Sequence, residues 1–286
     1  MPTIYNYLSF VKFSHTVFAM PFALIGYFTA IYPRGYAFEW ETLMLIVLCM
    51  IFARNAAMGF NRYIDRKFDA LNPRTAQREI PEKVISPRSA LIFVFINSIA
   101  FITATWFLNM LCFVLSPVAL LVVLGYSYTK RYTWLCHLVL GIGLSLAPIG
   151  AYIAVTGIFD FVIIMYGFTV LFWVAGFDII YAINDREFDV KHNLYSIPAF
   201  FGKKKAHIIS ALFHLLAALL IITIAQIESF EIIARMSTGI FIFLLILQHF
   251  VVLQRKYHIN KVFFITNGLA SIILSAGLIV EMIIYY

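Results

Sequence analysis

Residues 42–72 read TLMLIVLCMIFARNAAMGFNRYIDRKFDALN, an apolar run that ends in a burst of charge. Residues 178–193, DIIYAINDREFDVKHN, close a second apolar run in the same way. Both contain the pentad D-R-x-F-D, at 65–69 and again at 185–189. A stretch of about 20 apolar residues is long enough to span a bilayer as a helix, and such stretches recur along the whole chain.

Composition agrees with that reading. The 286 residues are 63% hydrophobic and 12% charged, and their mean hydropathy is +0.91. A soluble domain carries about twice that share of charge. Continuous runs, in place of alternation, exclude a membrane β-barrel and leave an all-α polytopic membrane protein. The first run, from about Phe10, has no small-residue cleavage site behind it and reads as a retained helix. Cys49, Cys112 and Cys136 lie in or near apolar runs without paired spacing and read as apolar filler.

Polar breaks divide the chain into nine expected helices, roughly 9–32, 42–63, 89–108, 111–128, 134–156, 160–183, 206–226, 230–252 and 262–285. The connections after even-numbered helices hold the cations: Arg62, Arg66, Lys67, Arg74, Arg78, Lys83 and Arg88; Lys130 and Arg131; Arg186, Lys191 and Lys203 to Lys205; Arg255, Lys256 and Lys261. The other side holds Arg34 and Arg235. The positive-inside rule then places the N-terminus and both aspartate motifs in the cytoplasm and the C-terminus outside. The net charge of +7 follows from this topology and from contact with anionic lipid, so nucleic acid is not an expected partner. The motifs lie four helices apart on one side, which makes the repeat parallel. Residues 1–286 read as one membrane-embedded domain with motif loops at about 61–88 and 178–205.

Asn61, Asp65 and Asp69 are spaced i, i+4, i+8 and share a helical face, with Arg54 seven residues earlier on that face. Asp178, Tyr181, Asp185 and Asp189 share another. Arg54 and Asp178 fall within or close to the hydrocarbon zone, where ionisable groups are costly and usually functional. Facing carboxylate clusters suit magnesium that shares its shell with a diphosphate. Arg66, Arg74, Arg78, Lys130 and Arg131 would neutralise the remaining phosphate charge. For Arg66 and Arg186 the topology rule is an equally good account. His214 and His249 lie in apolar runs with no partner in view and carry no functional reading.

At these residues the chain resembles the UbiA superfamily of intramembrane prenyltransferases, whose pattern is N-D-x-x-D-x-x-x-D after the second helix and Y-A-x-x-D-x-x-x-D after the sixth. Asn61, Asp65 and Asp69 match the first, and Tyr181, Ala182, Asp185 and Asp189 the second. NPRTAQREIP, with Arg74, Thr75 and Arg78, is similar to the family's R-T-x-x-R-P segment, and GYSYTKRYT, which holds Tyr128, Lys130 and Arg131, to its loop after helix four. One departure is Arg62, where the family usually has aspartate.

The resemblance implies a nine-helix UbiA-like bundle and a magnesium-dependent transfer of a polyprenyl group from its diphosphate to an aromatic acid. It implies metal ligands in Asn61, Asp65, Asp69, Asp185 and Asp189, with Asp65, Asp69, Asp178, Asp185 and Asp189 as the catalytic carboxylates. Asp178 or Asp185 would take the ring proton. Substrate contacts are implied for Arg54, Arg62, Arg66, Arg74, Arg78, Tyr128, Lys130, Arg131 and Tyr181. The implied acceptor is 4-hydroxybenzoate-like, in respiratory quinone synthesis at the bacterial inner membrane, with no obligate protein partner. KFSHTVFAMPFAL, residues 12–24, resembles a subgroup with a dihydroxynaphthoate acceptor in menaquinone synthesis. Lys12 and His15 would meet the acceptor carboxylate, or else be an interfacial lysine and a buried histidine. Haem farnesylation is a further alternative. A secondary transporter would place its charges at the bilayer midplane, and a CDP-alcohol phosphotransferase would need a D-G-x-x-A-R run that the chain lacks.

Overall fold

The computed structural model describes residues 3–12, 19–253 and 259–286, apart from the side chains of Ile4 and of residues 253 and 259–264. Its helices are α1 (Ile4–Phe10), α2 (Met20–Ile31), α3 (Trp40–Leu71), α4 (Pro87–Leu108), α5 (Met110–Thr129), α6 (Cys136–Thr156), α7 (Phe161–Ala182), α8 (Arg186–Lys191), α9 (Ile197–Ile227), α10 (Ile232–Leu253) and α11 (Ile259–Tyr285). Among the described residues, eight of these are long and apolar enough to cross a membrane, and α2 is a shorter apolar helix. The protein is an all-helical, multi-pass membrane protein, close to the nine spans expected. The expected first helix, 9–32, corresponds to α2 in its second half; His15 lies outside the described residues.

Two boundaries differ from the sequence reading, each for a local reason. α3 continues to Leu71, eight residues past the expected end, so the first aspartate motif is helical instead of looped. Nothing breaks it until Asn72, which precedes Pro73 and takes an extended conformation at φ −95°, ψ 119°. α9 begins at Ile197, not near 206, because Ser196 caps it and Pro198 occupies its first turn. Gly202 then interrupts it at φ 80°, a conformation that costs glycine little. The short first leg carries Phe200 and Phe201, whose rings lie 6.1 and 5.2 Å from Trp134. Exposed Lys203, Lys204 and Lys205 follow the bend.

α7 is the central helix, with 67% of its most apolar window buried against 22% for α3 and for α5. Close packing in lipid relies on small residues. A Cβ on Gly141 of α6 would stand 2.5 Å from the Leu171 carbonyl of α7, and one on Gly26 of α2 would collide with the Pro148 carbonyl of α6. At the end away from the motifs, Arg34 joins three helices. It pairs with Glu228 after α9 at 2.8 Å and with Asp160 before α7 at 3.3 Å. Asp160 also caps α7 by accepting from the Val162 and Ile163 amides.

Burial pushes the Asp160 carboxyl up, but the Arg34 guanidinium and the two amides outweigh it and hold it below the usual range. The stabilisation from this group is therefore complete above the unfolded value of about 3.9 and is lost as pH falls through the lower folded value. Arg34→Leu leaves the Glu228 carboxylate buried without its partner. We expect a loss of about 2–3 kcal/mol, read as a drop of about 5 °C or more in melting temperature in detergent at neutral pH.

Candidate active site

The last turns of α3 present Asn61, Asp65 and Asp69 along one face. Asn61 Nδ2 donates to Asp65 Oδ2 at 3.0 Å. Arg131, from the connection after α5, donates through Nη2 to Asp65 Oδ1 at 3.1 Å and to the Ile64 carbonyl at 2.8 Å. Its guanidinium lies 5.3 Å from the Phe68 ring and 5.7 Å from that of Tyr128. Asp69, one turn on, accepts from Arg78 Nη1 at 2.7 Å. The connection that carries Arg78 is folded back by Thr75, whose hydroxyl donates to the Asp69 carbonyl. Ser9 of α1 fastens it further by donating to Glu79 at 2.6 Å, and Ile80 and Ile85 pack with Phe10 and Val11 beneath it.

The second motif spans the end of α7, a 3-10 turn at Ile183–Asp185, and α8. Arg74 grips Asp185 with two bonds, Nε to Oδ1 at 3.0 Å and Nη2 to Oδ2 at 2.6 Å. It also lies 5.4 Å from the Tyr181 ring. Asp189 is fully buried, paired with Lys130 Nζ at 2.7 Å and accepting from Ser196 Oγ at 2.9 Å. Burial pushes the Arg74 and Lys130 pKa values down, but Asp185 and Asp189 outweigh it and raise both, so both partners stay cationic. Asp178, about two turns before Asp185, has a different partner: His137 Nδ1 lies 2.6 Å from its Oδ2.

All five aspartates line one cavity of about 1480 Å³. Its mouth holds Asn61, Arg62, Arg74, Arg78, Lys130, Arg131 and Tyr181, and its walls deepen into Leu115, Ala119, Leu144 and Ile153. Between His137 and Ile153 the cavity follows α6 for roughly 24 Å, most of a hydrocarbon core. Arg62 is 5% exposed, and its Nε and Nη1 are buried without a hydrogen-bond partner. Arg54 lines the wall and donates to the Val11 and Lys12 carbonyls at 3.1 and 3.2 Å. Lys12 lines it too.

Two of the sequence candidates stand apart from the lining. Arg66 donates to the Tyr63 carbonyl at 2.6 Å and sits over the Tyr63 ring, and Tyr128 packs between Phe60 and Arg131. The sequence reading also missed three lining or supporting groups: His137, Tyr126 and Ser196. His137 sits at the start of a helix just beyond the Lys130–Arg131 loop, the one available hint. His214 and His249 do have a partner, each other, with Nδ1 of the first 2.9 Å from Nε2 of the second.

The donor chemistry fits magnesium. Every candidate ligand is a hard oxygen, and Asp69 Oδ2 is buried with no hydrogen-bond partner. Among the described residues no three His, Cys, Asp or Glu side chains converge into a cage. Magnesium completes its shell with water and phosphate oxygens and takes only one or two carboxylates from protein.

The chain is similar in sequence and fold to known proteins. A 4-hydroxybenzoate octaprenyltransferase from Aliivibrio fischeri (strain MJ11) is 31% identical over 188 residues, 66% of each chain. The apo structure of a UbiA homolog from Aeropyrum pernix K1 matches with TM-score 0.85 and 34% identity, covering 94% of this chain and 98% of that one. A UbiA homolog from Archaeoglobus fulgidus, bound to GPP and Mg2+, shares the fold at TM-score 0.77 and 19% identity, over 98% of this chain and all of that one. Residues 19–269 match the UbiA prenyltransferase family as a whole, and with two aspartate motifs meeting at the mouth of one intramembrane cavity, the chain belongs to that family and is a prenyltransferase.

Proposed function

We propose that the protein transfers a polyprenyl group from its diphosphate to a 4-hydroxybenzoate-type aromatic acid in the membrane, with the cavity mouth facing the cytoplasm. The observation that carries this reading is the pairing of carboxylates and cations at the mouth of an apolar cavity about as deep as the bilayer. Relatives named for 4-hydroxybenzoate as acceptor support the substrate class, and their bacterial origin supports an inner-membrane location. The tail would lie along α5 and α6, and the diphosphate would meet the charged mouth.

The mechanism follows from what each side chain can do. Arg74, Arg78, Lys130 and Arg131 exchange their aspartates for diphosphate oxygens and hold the leaving group in place. Arg62, buried with two unpaired nitrogens, adds a donor where the family usually has a carboxylate. Asn61, Asp65, Asp69, Asp185 and Asp189 would hold magnesium, which when bound neutralises the negative charge that builds up as diphosphate departs. The bond from the prenyl C1 to the diphosphate oxygen breaks with its electron pair on oxygen, and the aromatic ring supplies the pair that forms the new carbon–carbon bond. Asp178 accepts the proton released from that ring carbon, and aromaticity returns. Phe68, Tyr126, Phe177 and Phe188 line the cavity, and their rings would stabilise an allylic cation.

The decisive assay incubates membranes with labelled prenyl diphosphate and a panel of aromatic acids; no transfer to 4-hydroxybenzoate would refute the proposed acceptor. Asp65→Ala and Asp189→Ala should each lower kcat about a hundredfold or more, and near-normal turnover in either would refute the two-cluster site. Arg62→Ala should raise the KM for prenyl diphosphate about tenfold, the loss of one hydrogen bond to a charged group; an unchanged KM would leave Arg62 a topology residue. Cysteines placed next to Arg78 and Lys204 should react with an impermeant thiol reagent from the cytoplasm, and one next to Arg235 only from outside. Labelling of the two motif regions from opposite faces would overturn the orientation.

A further inference from the structure

Of the five aspartates at the cavity, Asp178 alone is held by a histidine; the other four face arginine or lysine. Those cations are the groups that a diphosphate would draw away. A histidine that does not touch the diphosphate keeps its aspartate throughout. His137 is 3% exposed at its side chain and Asp178 29% exposed, so the pair has a dry side and a side open to the cavity.

The protonation of His137 follows from its other nitrogen. The Ile197 backbone N–H points at His137 Nε2 at 3.3 Å. A backbone N–H can only donate, so Nε2 accepts, and the ring proton of the neutral imidazole sits on Nδ1. Nδ1 then donates to Asp178 Oδ2 across 2.6 Å. The Ile197 amide belongs to the first turn of α9, where amides lack partners within the helix. One histidine thus satisfies a helix end and orients a carboxylate.

We propose that His137 is the positioning residue for Asp178: by donating from Nδ1 it holds the carboxylate turned toward the cavity, where it receives the proton of the alkylated ring carbon. This rests on the aromatic prenyl transfer proposed above. The C–H bond at that carbon breaks, its electrons restore the ring, and the proton goes to Asp178. His137 gains and loses nothing. It is a fixed donor, related in logic to the carboxylate that orients a catalytic histidine but with the roles reversed.

The test compares His137→Phe, which keeps the ring and removes the donor, with His137→Asn, whose Nδ2 falls near the position of Nδ1. Geranyl diphosphate and 4-hydroxybenzoate, with and without deuterium on the ring, are the probes. We expect His137→Phe to lower kcat about tenfold or more, to leave the KM for geranyl diphosphate within about twofold, and to bring out an isotope effect on ring deuteration as proton removal becomes slow. His137→Asn should restore much of kcat, and in an Asp178→Asn background His137→Phe should cost nothing further. Equal losses in both backgrounds, an effect on KM alone, or an Asn variant that melts normally yet is no better than Phe would overturn the proposal. Nitrogen-15 spectra of the bilayer-embedded protein give a readout without turnover. The wild type should show His137 protonated at Nδ1, and that signal should move in Asp178→Asn; a signal that stays put overturns the pairing. Wild-type protein that shows the pair but alkylates no aromatic acid overturns the functional reading instead.

Discussion

The constraint on which the structure depends is that four carboxylates share one cavity mouth and each needs an opposing charge. Asp65, Asp69, Asp185 and Asp189 crowd one cavity mouth, and each is opposed by one cation: Arg131, Arg78, Arg74 and Lys130. Like charges in a medium of low dielectric repel strongly, so the cluster would open or protonate without these partners. The partners come from connections that have to be folded into place. Thr75, Ser9 and the apolar pad at Ile80 and Ile85 do that for the first. For the second, the Tyr195 amide donates to the Lys130 carbonyl at 2.7 Å, tying the chain after α8 to the end of α5. Electrostatics at the mouth therefore dictates loop structure well beyond the motifs.

The pairing also prepares the chemistry. Four matched ion pairs could exchange partners under the proposed reaction, with cations turning to phosphate and carboxylates to metal, at little net cost in charge burial. The apolar length of the cavity would add to the affinity for the proposed prenyl tail, at about 0.8 kcal/mol for each methylene buried. Arg62 and Asp178 stand outside that exchange. Two nitrogens of Arg62 are buried without a hydrogen-bond partner among the described residues, and Asp178 is held by a histidine, which is why the proposed roles of phosphate contact and proton acceptor suit them.

Much of this was legible in the sequence. Apolar runs near bilayer length gave the helices, because lipid permits few other structures, and the repeated D-R-x-F-D pentads marked the site because carboxylates beside such runs are expensive. The i, i+4, i+8 spacing even implied that the first motif is helical, although its loop-like charge placed the helix end too early. What could not be read was pairing. Spacing says that Asp65 and Asp69 share a face, but not that Arg131 reaches one and Arg78 the other. His137 was invisible because its importance comes from two contacts with residues 41 and 60 positions away. His214 and His249 meet across 35 positions for the same reason.

The bend at Gly202 has a consequence for where the protein floats. It turns the first leg of α9 away from the helix that follows, so Phe200 stacks on Trp134 and Phe201 meets it edge-on, while three exposed lysines begin the next leg. Aromatic rings settle at the level of lipid headgroups, and lysines reach for the phosphates just above them. This collar lies close in sequence to Lys130 and Ser196, the partners of Asp189. It therefore fixes the headgroup level at this end of the bundle, while exposed Trp40, Phe161 and Tyr286 mark the other end. A bilayer of different thickness is thus met at both rims, and at this one any shift is felt by the connections that hold Lys130 and Ser196 against Asp189.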